Sequence, residues 1–126
     1  MKQISALICV VLLMTACTTP FMRDAGLDKP ALRKAENDLS LGILAYEDGD
    51  YKNSTRLLQG ALAAELVLTP DKVAAHKYLA FMYCAQSLKK ACRDEFRKAL
   101  DLSPDFQLTP AEAGHPSWGP VFKSLK

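Results

Sequence analysis

The side chains best placed to do chemistry are Cys84 and Cys92, which fall at the end of one predicted helix and the start of the next. Facing each other across a short turn, they suit a disulfide; two buried thiols, or a redox or metal role, are the other readings of the same pair. A zinc site needs more ligands than these cysteines and the distant His76 or His115 supply, so no metal is expected. His76 lies at helical spacing with Leu79, Ala80 and Tyr83, the setting of a helix-contact histidine rather than of a general base. The chain has no glycine-rich phosphate loop, and no serine, histidine and acid come together with supporting context. It is therefore read as a binding protein, not an enzyme, with no cofactor and no small-molecule substrate. The densest acidic stretch, Glu36, Asp38, Glu47, Asp48 and Asp50, reads as a solvated helix end and turn.

Charge names no partner. Sixteen basic and 14 acidic residues leave a net charge of +2. The two signs are interspersed, so no field draws the chain to nucleic acid.

Cys9 and Cys17 stand in a different context. Lys2 precedes an apolar run from Ile4 to Met14, too short for a bilayer span of roughly 20 residues, so residues 1–16 read as a cleaved export signal. The run ends in Leu13-Met14-Thr15-Ala16-Cys17, which resembles the lipobox of bacterial lipoproteins, with Met14 where leucine is usual in that class. The resemblance implies cleavage after Ala16 and a covalent lipid on Cys17. Thr18, in place of aspartate, implies delivery to the outer membrane, with the domain on its periplasmic face. Each acyl chain contributes about 0.8 kcal/mol per buried methylene, so such an anchor is permanent without a transmembrane helix. Export also places Cys84 and Cys92 where disulfides persist.

The mature chain is long enough for one domain with one modest core. Residues 17–29, which mix Thr, Pro and Gly with isolated charges, read as a lipidated tether, and residues 30–126 as an all-α domain. Leu32, Ala35, Leu39, Gly42, Ile43 and Tyr46 mark a first helix, stopped by Asp48-Gly49-Asp50. Tyr51, Leu57, Leu58, Ala61, Leu62 and Leu66 mark a second, expected to end at Thr69-Pro70. Asp71 opens a third helix through Tyr83. After a break at residues 86–89, a fourth carries Cys92, Phe96, Ala99 and Leu100 up to Ser103-Pro104. Thr109-Pro110-Ala111-Glu112 has the pattern of a capping box, and Ser117-Trp118-Gly119-Pro120 begins a last short helix.

Leu41-Gly42, Tyr46, Gly49-Asp50-Tyr51, Leu58, Ala61-Leu62 and Pro70 resemble one tetratricopeptide unit. His76, Leu79-Ala80, Tyr83, Cys92, Phe96, Ala99-Leu100 and Pro104 resemble a second. The resemblance implies two helical hairpins in a short right-handed solenoid. Gly42 and Ala80 then sit where helices approach closely, and Ala61 and Ala99 admit bulky neighbours. The units are offset by about four residues more than the 34 of that class, which assigns an extra turn to the second helix. Two units leave a core open at one end, and residues 105–126 are expected to close it with Phe106, Leu108, Trp118 and Phe122. Trp118 with His115 has a second reading, as an exposed anchor for a partner.

In this repeat class the first helix of each unit lines a binding groove. The resemblance places Leu39, Ile43, Tyr46 and Glu47 beside Lys77, Phe81 and Ala85, a mixed apolar and charged surface fit for a helix or extended peptide, unless the tether or the C-terminal helix covers it. The single lipobox, the compact repeat pair, Cys84 with Cys92, and the closing Gly114-His115-Pro116-Ser117-Trp118-Gly119-Pro120 resemble, over nearly the whole chain, the small tetratricopeptide lipoproteins associated with type VI secretion systems. That similarity implies a membrane-anchored adaptor for a component of an envelope secretion apparatus. A pilotin-like lipoprotein for a type IV pilus or secretin, or an accessory of an envelope enzyme, are the alternatives.

Overall fold

The computed structural model describes residues 29–126; the expected signal, Cys17 and most of the tether lie outside them. The described residues form α1 (Lys29–Glu47), α2 (Tyr51–Ala63), α3 (Thr69–Ala85), α4 (Lys89–Leu102), α5 (Pro110–Ala113) and α6 (Gly119–Lys123), and no strand. None of these helices is long and apolar enough to cross a membrane.

Two hairpins carry the fold, and the sequence explains where each turns. Pro30 lies in the first turn of α1, where its missing N–H costs nothing. Gly49, at φ +80°, supplies the left-handed residue that ends α1, and the Asp50 carboxylate caps α2 by accepting from the Asn53 N–H at 3.2 Å. In the second hairpin Ser87 takes the left-handed position at φ 63°, and α4 starts at Lys89. The hairpins repeat in a fixed register: Glu47 and Ala85 end their first helices, and Tyr51 and Lys89 begin their second, both pairs 38 residues apart.

Contrary to the expectation above, the extra residues between the units do not lengthen α2. That helix stops at Ala63, and the surplus forms the connection 64–68, in which Glu65 adopts φ 61°. Pro70 belongs to the first turn of α3 rather than ending α2. A proline is unfavourable inside a helix but favourable at its start, so the same residue reads either way until its neighbours are placed. Leu66, counted with α2, lies in this connection and is nonetheless buried, plugging the space beneath it.

Packing within the first hairpin is close. A Cβ on Gly42 would lie 2.8 Å from Leu58 Cγ, and the buried Ser54 hydroxyl donates to the Gly42 carbonyl at 2.7 Å. Ala35, Leu39, Leu58, Ala61, Leu66, Ala75, Leu79 and Met82 form one core cluster. A second joins Ala80, Phe81, Cys84, Cys92 and Phe96 to Leu108, Trp118 and Phe122 of the C-terminal segment, with Phe106 packed against it. Tyr46, Tyr78 and Tyr83 touch both clusters and weld them together.

The C-terminal segment folds on its own signals. Thr109 and Glu112 form the capping box, each side chain bonded to the other's backbone N–H. Gly119 lies so close to the Ala113 carbonyl that a Cβ there would collide with it. The indole N–H of Trp118 donates to the Glu112 carbonyl at 2.8 Å, which satisfies its one polar atom on burial.

Candidate functional site

An open cleft of ≈ 440 Å³ lies where the two hairpins meet the C-terminal segment. Tyr46 from α1, Tyr51 from α2 and Ala85 from α3 form one side, and Ala111, Glu112, His115 and Trp118 the other. Its walls are largely aromatic. Tyr46 and Tyr51 approach at 5.7 Å between ring centroids, and His115 stacks on Trp118 at 3.4 Å. Tyr51 stays 43% exposed, so the cleft opens directly to solvent. Burial, reinforced by Tyr51, Tyr78 and the Glu112 carboxylate, pushes the Tyr46 phenol above its ordinary value, which keeps it a neutral hydrogen-bonding group.

Of the seven residues expected to line a groove, the structure brings Tyr46 and Ala85 into this cleft. Glu47 is exposed beside Tyr46, and Ile43 is half-buried against the first core cluster. Leu39 and Phe81 are core residues rather than groove residues, 7% and 2% exposed. Leu39 is taken up by the first cluster, and Phe81 lies beneath Trp118. Lys77 is engaged inside the protein: its ammonium sits 2.8 Å from Glu112 Oε1 and 4.7 Å from the Tyr78 ring centroid. Burial works against the Glu112 carboxylate, but Lys77 and the Thr109 N–H outweigh it and hold its pKa below the usual carboxylate range.

The tryptophan combines features of both readings given to it. Its ring is buried as a plug, stacked on Phe81 at 4.3 Å, while its edge and His115 border the cleft. A larger concavity of ≈ 600 Å³ lies between the Leu108 loop and α6, away from Tyr46 and Ala85.

Two other polar arrangements are structural ties. Cys84 and Cys92 are joined in a disulfide with Cα atoms 5.2 Å apart, both buried. His76 Nδ1 lies 2.6 Å from Glu95 Oε2, and Lys98 Nζ 2.7 Å from Glu95 Oε1, which fastens α3 to α4. Burial would raise the Glu95 carboxyl, but the hydrogen bonds from His76 and Lys98 depress it below its ordinary value. Glu95 was missed in the sequence because a charged residue between Asp94 and Phe96 reads as exposed; its position three residues after Cys92 and four before Ala99 was the available signal. Tyr78, at the centre of the aromatic layer, was missed as well. Among the described residues no group of three or more His, Cys, Asp or Glu side chains is placed to hold a metal ion.

Compared with protein-family models, curated proteins and solved structures, the chain matches none.

Proposed function

We propose that this chain is a lipid-anchored adaptor: an outer-membrane lipoprotein, held at the periplasmic face through Cys17, whose tetratricopeptide-like domain captures a segment of a protein partner. The observation that carries this reading is the open cleft between Tyr46, Tyr51, Ala85 and Trp118. Ligand sites are concave, mainly apolar and furnished with a few polar groups, and this one joins aromatic walls to Glu112 and His115. The repeated hairpin register, Gly42 against Leu58, and the C-terminal plug on Phe81 support a two-unit, right-handed solenoid closed at one end. Function here is tethering. A membrane anchor raises the local concentration of whatever the cleft holds, so weak contacts suffice to organise an assembly. The overall resemblance drawn from the sequence makes a component of a type VI secretion apparatus the partner of choice.

The test is capture of the lipidated protein from solubilised membranes, with the co-purifying proteins identified, using wild type, Ala85→Trp and Arg97→Ala. Ala85 is exposed and lines the cleft, so tryptophan there fills it; Arg97 is exposed on α4 away from it. A secretion-apparatus component should be recovered with wild type and Arg97→Ala and lost with Ala85→Trp. Recovery of a secretin, or a partner indifferent to Ala85→Trp, overturns it.

A further inference from the structure

We infer that the segment entering this cleft carries an arginine, whose guanidinium stacks on the aromatic walls and is drawn in by the acidic α1–α2 turn. The inference rests on the adaptor reading and adds the chemistry of the partner.

The protein already seats one cation in this aromatic layer. Lys77 Nζ lies 4.7 Å from the centroid of Tyr78 and 5.7 Å from that of Phe81, with the Glu112 carboxylate as counter-ion. Ring faces and a carboxylate together are a cation site, and the inner end is filled by the chain itself. The outer end offers ring surface of its own: Phe81 and His115 cover the two faces of Trp118, which leaves the exposed Tyr51 and the outer face of His115 toward solvent, with the acidic α1–α2 turn rather than Glu112 as the source of negative charge. Tyr46, Tyr51, His115 and Trp118 border this end, and among the described residues no lysine or arginine lines it.

The adjoining turn supplies the field. Glu47 directly follows Tyr46, and Asp48 and Asp50 precede Tyr51; all three are exposed, and none forms an ion pair among the described residues. On the opposite hairpin, α4 exposes Lys89, Lys90, Arg93 and Arg97. Charge balance across the whole chain hides this asymmetry: a basic segment is repelled from α4 and attracted to the α1–α2 turn, and an acidic one the reverse. Arginine fits better than lysine because its planar, weakly hydrated guanidinium stacks on rings while donating in-plane to carboxylates.

Trp118 is the only tryptophan, so a single indole N–H signal, from a ring that borders the cleft, is followed in 15N NMR of the mature lipidated protein in detergent micelles. The probes are three peptides, acetyl-Gly-Leu-Xaa-Leu-Gly-amide with Xaa arginine, lysine or glutamate. The arginine peptide should shift the Trp118 signal in a saturable way and bind about two- to fivefold tighter than the lysine peptide, a difference on the scale of exposed cation–π energies that arises from the guanidinium's planarity and weaker hydration. The glutamate peptide should leave the signal unmoved. Glu47→Gln, Asp48→Asn and Asp50→Asn together should weaken arginine binding by a similar factor, Asn keeping the α2 cap intact. Silence with all three peptides, an equal response to glutamate and arginine, or indifference to the triple substitution overturns the inference. Failure of this kind leaves the cleft standing where Ala85→Trp still abolishes partner capture; indifference of capture to Ala85→Trp removes the cleft itself.

Discussion

Trp118 lies on Phe81 with ring centroids 4.3 Å apart and planes 21° from parallel, so the C-terminal segment closes the second hairpin by covering a residue that otherwise faces the groove. His115 stacks on the same indole, and Lys77 reaches Glu112 beside it. The plug and the cleft wall are thus one piece of structure, so occupancy of the cleft is expected to depend on the stability of the last helices.

Removing the indole tests that coupling. Trp118→Ala deletes a large buried ring and its bond to the Glu112 carbonyl, and should cost about 3–5 kcal/mol in urea unfolding. Trp118→Phe, which keeps the stacking but not the N–H donor, should cost less. Equal loss for the two variants would place the energy in the hydrogen bond rather than in the ring contact.

The two helical glycines of the first hairpin should respond with opposite sign. Gly42→Ala forces a Cβ to within 2.8 Å of Leu58 and should destabilise by about 1–3 kcal/mol. At Gly60 the nearest atom to a new Cβ is Asp38 Oδ2 at 3.4 Å, so alanine there should be neutral or add up to about 1 kcal/mol through helix propensity. Thermal melts of the two variants decide this, and a stable Gly42→Ala would contradict the close α1–α2 approach.

Reduction should be felt globally although the loop is short. With Cys84 and Cys92 eight residues apart, loop entropy puts the disulfide at about 2.5 kcal/mol. Cys84→Ser with Cys92→Ser should lower the melting temperature by an amount that reductant reproduces in the wild type. A reductant-insensitive wild type would show that the bond contributes nothing.

Acid should loosen the α3–α4 contact at a definable point. The folded pKa of Glu95 is depressed, so its contribution is complete above the unfolded value of about 4.3 and is lost as pH falls below that toward the native value. Glu95→Gln should therefore lower stability at neutral pH by about 1–3 kcal/mol and flatten the acid limb of the stability–pH curve. An unchanged acid limb would mean that other carboxylates control it.

Helix punctuation was the legible part of the fold. Asp48-Gly49-Asp50, Thr109-Pro110-Ala111-Glu112 and Ser103-Pro104 act through their own backbone, and the helices end or begin where those residues fall. The close of α2 was hidden because Leu66 keeps the helical apolar pattern after the backbone has left it, its burial being decided by the neighbouring hairpin. The coverage of Phe81 and the engagement of Lys77 depend on where a segment some 35 residues later settles, which local periodicity does not encode. Glu95 escaped notice for the same reason, since its partner His76 lies on another helix.

The central claim, that the cleft holds a partner at the membrane, is tested most directly by site-specific photo-crosslinking in intact cells. A photoreactive amino acid at Ala85 or Tyr51 should yield one membrane-associated adduct, absent with the probe at the exposed Arg97 or Leu102 and lost together with membrane retention in Cys17→Ser. Adducts from Arg97 or Leu102 but none from Ala85 or Tyr51, or an unchanged pattern in Cys17→Ser, would contradict the account.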